Sequence, residues 1–117
     1  MKYFDGIVVP VPRANRDAAL DFSHKVNGPW LEHGALRVVR GWGVEFPEGT
    51  KNDFRRAVGA TDDEDIVFGW VEWPDKATRD AAMEKMRNAE GPRPTPPFDP
   101  SRIMFGGFET RFDTDDA

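Results

Sequence analysis

Apolar positions crowd the start of the chain, broken only by Asp5-Gly6 between Tyr3-Phe4 and Ile7-Val8-Val9. Tyr3, Ile7 and Val9 lie on one parity and Phe4 and Val8 on the other. The segment is rich in aromatic and β-branched residues, which predicts a first strand over residues 3–9. Pro10-Val11-Pro12 should end it, because proline has no N–H to give to a ladder. A helical period follows. Phe22, Val26 and Trp30 recur at i, i+4 and i+8, joined by Ala18 and Ala19, which predicts a helix opened by Asn15 as N-cap with Asp17 in its first turn. Gly28-Pro29 falls inside that stripe. Pro29 removes one helical hydrogen bond and crowds the preceding turn, so a kink or restart is expected there, with Gly34 closing the helix.

Alternation runs over residues 36–46, the second strand. Leu36, Val38, Arg40, Trp42, Val44 and Phe46 share one face, and Pro47-Glu48-Gly49 stops it. Residues 54–58 read as a short extended piece. The acidic turn Asp62-Asp63-Glu64-Asp65 leads from it into a third full strand over 66–73, so the two are expected to form a hairpin. Pro74-Asp75 caps a second helix to about residue 88, with Ala82, Met83 and Met86 inward. Residues 91–100 carry Pro92, Pro94, Pro96, Pro97 and Pro100 and read as a loop, since a last strand over 103–112 still follows. Residues 113–117 form an acidic tail that is expected to fray.

The order β-α-β, β-α-β predicts an α+β, ferredoxin-like βαββαβ fold: a four-stranded antiparallel sheet with two helices on one face, plus the short hairpin strand near 54–58. One such domain would span residues 1–112. Two helices cover only one side of a sheet, and the other side should turn polar if it meets water. The third strand instead carries Ile66, Phe68 and Trp70 on one face and Val67, Val71 and Trp73 on the other. A face this greasy exceeds what a monomer usually exposes, and a second copy is the simplest cover. A homodimer is therefore expected. The competing reading folds residues 54–58 and the proline-rich loop over the open face within one chain.

Composition narrows the functional classes. The 117 residues are 38% hydrophobic and 12% aromatic, enough for a packed core, with no Cys and a formal net charge of −5. Net acidity without a Lys/Arg cluster argues against nucleic acid as a partner. The apolar run Ile7-Val8-Val9 is far shorter than a leader or a membrane span, so no membrane partner and a cytoplasmic location are expected.

A family resemblance enters on a series of short segments. These are Met1-Lys2-Tyr3-x-Asp5-Gly6, Glu32-x-Gly34-Ala35-Leu36, Pro47-x-Gly49-x-Lys51 with Asp53-Phe54-Arg55, Val67-Phe68-x-Trp70, and Pro97-Phe98-Asp99 followed by Arg102-x-Met104-x-Gly106-Gly107-Phe108-Glu109. In their order and spacing they resemble the YbaA-like family of uncharacterised bacterial proteins (domain of unknown function 1428). The resemblance implies the dimeric α/β-barrel superfamily, whose ferredoxin-like protomers pack sheet on sheet. That superfamily includes cofactor-independent monooxygenases, haem-handling proteins and small-molecule-binding proteins, so only a class follows by analogy. It brings no catalytic residues. The chain departs from the family pattern at Gly28-Pro29 and at Arg40-Gly41.

Candidate chemistry is sparse. His24 and His33 are nine apart, which fits no common zinc pattern, so no metal is expected. His33 stands beside Glu32 at a helix end, where a neutral tautomer is a candidate base and a carbonyl-capping role is the plainer reading. Ser23 and His24 are helix neighbours that point apart, which argues against a nucleophile and base pair. Gly41, Gly43, Gly106 and Gly107 lie in strands and form no phosphate loop. Polar residues within apolar strand faces are more telling: Asp5, Arg40 and Glu72. A cavity lined by Tyr3, Asp5, Arg40, Trp42 and Trp70, with His33 at the helix end, would suit a flat, partly anionic organic ligand. The same charges would equally serve to hold a dimer together. Two readings follow. One is a small-molecule binder, with the ligand in the cleft between sheet and helices and a monooxygenase-like activity that needs no cofactor. The other is a non-catalytic homodimeric interaction or structural module with a side-chain-filled barrel. Whether the chain is an enzyme stays open between the two.

Overall fold

The computed structural model describes residues 1–116. Strand β1 (Tyr3–Pro12) organises the sheet. It pairs antiparallel along its whole length with β3 (Glu64–Trp73), from Tyr3 opposite Trp73 to Pro12 opposite Glu64. Its first part, Tyr3 to Val8, also pairs antiparallel with β4 (Met104–Glu109). Strand β2 (Arg37–Trp42) joins the far side of β3, giving a four-stranded sheet in the order β2-β3-β1-β4. The expected stop at Pro10 is corrected: the strand runs through both prolines. They fall where β4 has ended and β1 has a single neighbour, so no second ladder asks for their missing N–H groups.

Helix α1 (Arg16–Glu32) also runs through its expected break, with Pro29 inside it. The turn after Pro29 is held from outside. Trp30 packs edge-on against Trp73 at 5.8 Å, and the Trp30 carbonyl accepts from the amides of His33 and Ala35. Tertiary packing therefore outweighs the one lost bond. Asn15 precedes the helix but does not cap it with its side chain; its Nδ2 donates 2.9 Å to the carbonyl of Pro97 and ties the proline-rich loop to the start of α1. Gly34, at φ 108°, turns the chain out of the helix as expected.

Strand β2 ends at Trp42, short of the expected Phe46, and β4 ends at Glu109, short of Phe112. The expected hairpin strand at 54–58 is a helix, α2 (Phe54–Val58). The Asp53 carboxylate accepts from the Arg56 amide at 2.9 Å at one end, and Gly59 takes the left-handed conformation at the other. Asp and Gly bracketing five residues are helix caps, and a strand has no use for either. The expected acidic tail is a turn of 3-10 helix over Thr114–Asp116, with Asp113 accepting 3.1 Å from Lys2; Ala117 lies outside the described residues.

Helix α1 and helix α3 (Lys76–Asn88) share one face of the sheet. Tyr3, Val71 and Trp73 pack there with Ala82 of α3 and Trp30 of α1, and Val9, Val11 and Val67 pack with Ala19 and Trp42. At one end of the opposite face Phe54 of α2 meets Phe68 edge-on at 5.9 Å. The proline-rich loop goes to the helix side instead, with Phe98 edge-on to Phe22 at 5.7 Å. The result is a slab of 40 × 39 × 20 Å.

One buried ion pair closes the α2 end. Arg102 grips Glu64 with both terminal nitrogens, at 2.7 and 3.0 Å, and also donates 2.7 Å to the Gly59 carbonyl. The Thr61 amide adds a third bond to the carboxylate at 2.9 Å. Chiefly through Arg102, these donors hold the Glu64 pKa down from an ordinary 4.5 to about 2. A depressed carboxylate stabilises the fold fully above its unfolded pKa and loses that contribution as pH falls from 4.5 towards about 2. Replacing Arg102→Met should lower the stability at neutral pH, since it leaves the buried Glu64 carboxylate without its two guanidinium donors. In thermal melts from pH 7 to pH 2, the gap between wild type and variant should close through that acid window.

Candidate functional site

The register divides the expected site residues between two faces. On the helix face, Asp5 is almost wholly buried and its Oδ2 accepts 3.0 Å from Trp73 Nε1. Its Oδ1 lies 3.3 Å from Arg79 Nε, an ion pair whose angle gives neither atom a directed hydrogen bond. Arg79, from α3, stacks its guanidinium 4.7 Å over the Tyr3 ring and donates Nη2 to the Tyr3 hydroxyl. Burial lifts the Asp5 pKa above the usual carboxylate range, against the opposing pull of Arg79 and of the Trp73 hydrogen bond. Gly107 of β4 makes room for this cluster: a Cβ there would collide with the Tyr3 hydroxyl and come within 2.7 Å of Arg79 Nη2.

Tyr3 and Asp5 are thus brought together, but with Arg79 and Trp73 as their companions. Arg40 faces the same side and lies across bare Gly69, where a Cβ would meet its Cδ at 2.8 Å. Its guanidinium bonds to the carbonyls of Val39 (3.0 Å) and Trp70 (3.3 Å) and, at 3.5 Å, to Asn27 Oδ1. Burial lowers its pKa. Trp42 donates Nε1 to Asp65 at 3.1 Å, with Arg16 over its ring. His33 is the C-terminal cap residue of α1. Trp70 projects from the opposite face. No cleft between sheet and helices joins these residues, because Trp30, Val38, Val71, Trp73 and Ala82 fill that layer. A large hollow lies instead on the opposite face of the sheet.

That hollow is a trough of about 930 Å³ on the open face, walled by Phe4, Val8, Phe68, Trp70, Met104 and Phe108. The ladders explain its shape. Three successive rows cross the sheet: Arg37-Glu72-Phe4-Phe108, then Val39-Trp70-Gly6-Gly106, then Gly41-Phe68-Val8-Met104. The middle row places two glycines side by side between rows of large side chains. Phe108 stacks on Phe4 at 5.3 Å and leans over both glycines, so that a Cβ at Gly6 or Gly106 would touch its ring at 3.5 or 3.4 Å. Glu72 stands between Trp70 and Phe4, its Oε2 accepting 2.8 Å from Trp70 Nε1 and lying 3.9 Å from Arg37 Nε.

Sequence reasoning missed Arg79, Phe4 and Phe108. The signals were present as the alternations Phe4-x-Gly6-x-Val8 and Met104-x-Gly106-x-Phe108, which become a site only once β1 and β4 are adjacent.

An antiparallel α+β sheet with helices on one side and an apolar trough on the other defines the class. Within it, the chain belongs to the family described as "Protein of unknown function (DUF1428)", which matches residues 2–100. It is 43% identical over 118 positions to Uncharacterized protein YbaA of Escherichia coli (strain K12), covering 97% of this chain and 99% of that protein. The YbaA proteins of Escherichia coli O157:H7 and Shigella flexneri match to the same extent. Among the described residues no helix is long and apolar enough to cross a membrane, and no group of three or more His, Cys, Asp or Glu is placed to hold a metal ion.

Removing one partner of a buried ion pair leaves the other uncompensated. Arg79→Met should therefore cost about 3 kcal/mol by urea unfolding, and Asp5→Asn added to it should recover part of that loss. Strict additivity of the two changes would show that the pair is not coupled.

Proposed function

We propose that the chain works as a homodimer of ferredoxin-like protomers, a dimeric α/β barrel in which facing sheets enclose a chamber for a small organic molecule. The strand order β2-β3-β1-β4 with two crossover helices supports the protomer type. The observation that carries the reading is the open apolar face. Phe68, Met104 and Phe108 are each about half exposed there, on a chain whose accessible surface is 7969 Å². A compact monomer of 13.2 kDa exposes about 6,400 Å². The excess, about 1,600 Å² per protomer, falls in the range obligate homodimers bury. The trough has the size and the aromatic lining of a ligand pocket, with few polar groups. Phe108 leaning over Gly6 and Gly106 favours the alternative of a barrel filled by its own side chains.

Sedimentation velocity at micromolar concentration should give twice 13.2 kDa, and the pair Phe68→Glu with Phe108→Glu should give monomer. Titration with the neutral probe 2-naphthalenemethanol should show binding to wild type and a loss of about tenfold in Gly106→Val, which fills the trough floor. A wild-type monomer would overturn the dimer, and a dimer that takes up no probe would favour the filled barrel.

A further inference from the structure

We infer that the chamber is selective for organic cations, of the kind formed by an ammonium group on a flat apolar body. This rests on the chamber proposed above. The inference starts from Glu72. Its Oε2 is engaged by Trp70 Nε1 at 2.8 Å, while Oε1 has no hydrogen bond from any described residue. Arg37 is a poor neutraliser: its Nε stops at 3.9 Å, beyond hydrogen-bond length, and its side chain is 63% exposed. The Glu72 side chain is 30% exposed on the open face. Once a second copy covers that face, a carboxylate held by one neutral donor and a distant guanidinium in an apolar chamber is strongly unfavourable.

The surroundings point to the sign of the missing group. Glu72 is flanked by Phe4, its direct partner across the ladder, and by Trp70, two residues away on its own strand face. Aromatic faces attract cations, and a ring wall with a carboxylate at its end is the arrangement that holds an ammonium. The charged side chains of the trough are Lys2 and Arg37 against Glu72, Asp113 and Asp115, and Lys2 is bonded to Asp113. The trough thus carries a surplus of negative charge. Arg40, the cation that suggested an anionic ligand from sequence, lies on the helix face against Asn27 and backbone carbonyls.

The test uses three probes that differ only in the polar group: 2-naphthylmethylamine, 2-naphthalenemethanol and 2-naphthoate. Each is titrated calorimetrically into the full chain at pH 7. The ammonium should bind about tenfold tighter than the alcohol, with the carboxylate weakest, and Glu72→Gln should bring the amine-to-alcohol ratio to about one. Equal affinities, a preference for naphthoate, or an unchanged ratio in Glu72→Gln would overturn the inference and leave the chamber standing. Dissociation of the dimer by Glu72→Gln would also overturn it, because Glu72 would then be answering a cation of the second copy. Failure of all three probes to bind would remove the chamber itself.

Discussion

One constraint shapes this molecule: two helices cannot cover a four-stranded sheet whose faces are both apolar. The helix side takes Trp73, Val71, Val9 and Val11 into a closed core. On the other side α2 covers one end, and aromatic rows stand around a pair of glycines. The slab shape, the surface area beyond that of a compact monomer, and the trough are three expressions of the same open face.

The fold was largely legible in the sequence, because its strands and long helices carry strong period-two and period-3.6 patterns. Reading failed where local rules met tertiary ones. Pro29 and Pro10 were read as breaks, yet Trp30 is locked against Trp73, and β1 loses its second neighbour before Pro10. The segment at 54–58 failed for the opposite reason: Asp53 and Gly59 are local caps that were overlooked. The site was less legible. Tyr3 with Asp5 could be paired by parity on one strand, but Arg79 reaches them from a helix more than seventy residues away. Trp70 was grouped with residues on the far side of its own sheet, since parity within a strand says nothing of parity between strands until the register is known.

The carboxylates of the interior are tuned in opposite directions. Arg102 and backbone donors hold Glu64 ionised well into acid, so it gains the fold stability as pH rises from about 2 to 4.5. Burial raises the Asp5 pKa, so its ionisation takes stability away as pH climbs past 3.8. Tight hydrogen bonding thus closes the α2 end, while the helix face tolerates a charge with one oxygen unsatisfied beside Arg79. The two ends of the sheet therefore respond to acid with opposite sign.

The prolines of β1 have a further consequence, for synthesis. This strand leaves the ribosome ahead of both its partners, since β3 begins at Glu64 and β4 at Met104. Until both arrive, a segment reading Ile7-Val8-Val9-Pro10-Val11-Pro12 waits exposed, with the composition that nucleates stacking between nascent chains. Pro10 and Pro12 break the row of amides that such stacking requires and cost nothing in the finished sheet. They act as gatekeepers for the interval before the strand finds its neighbours.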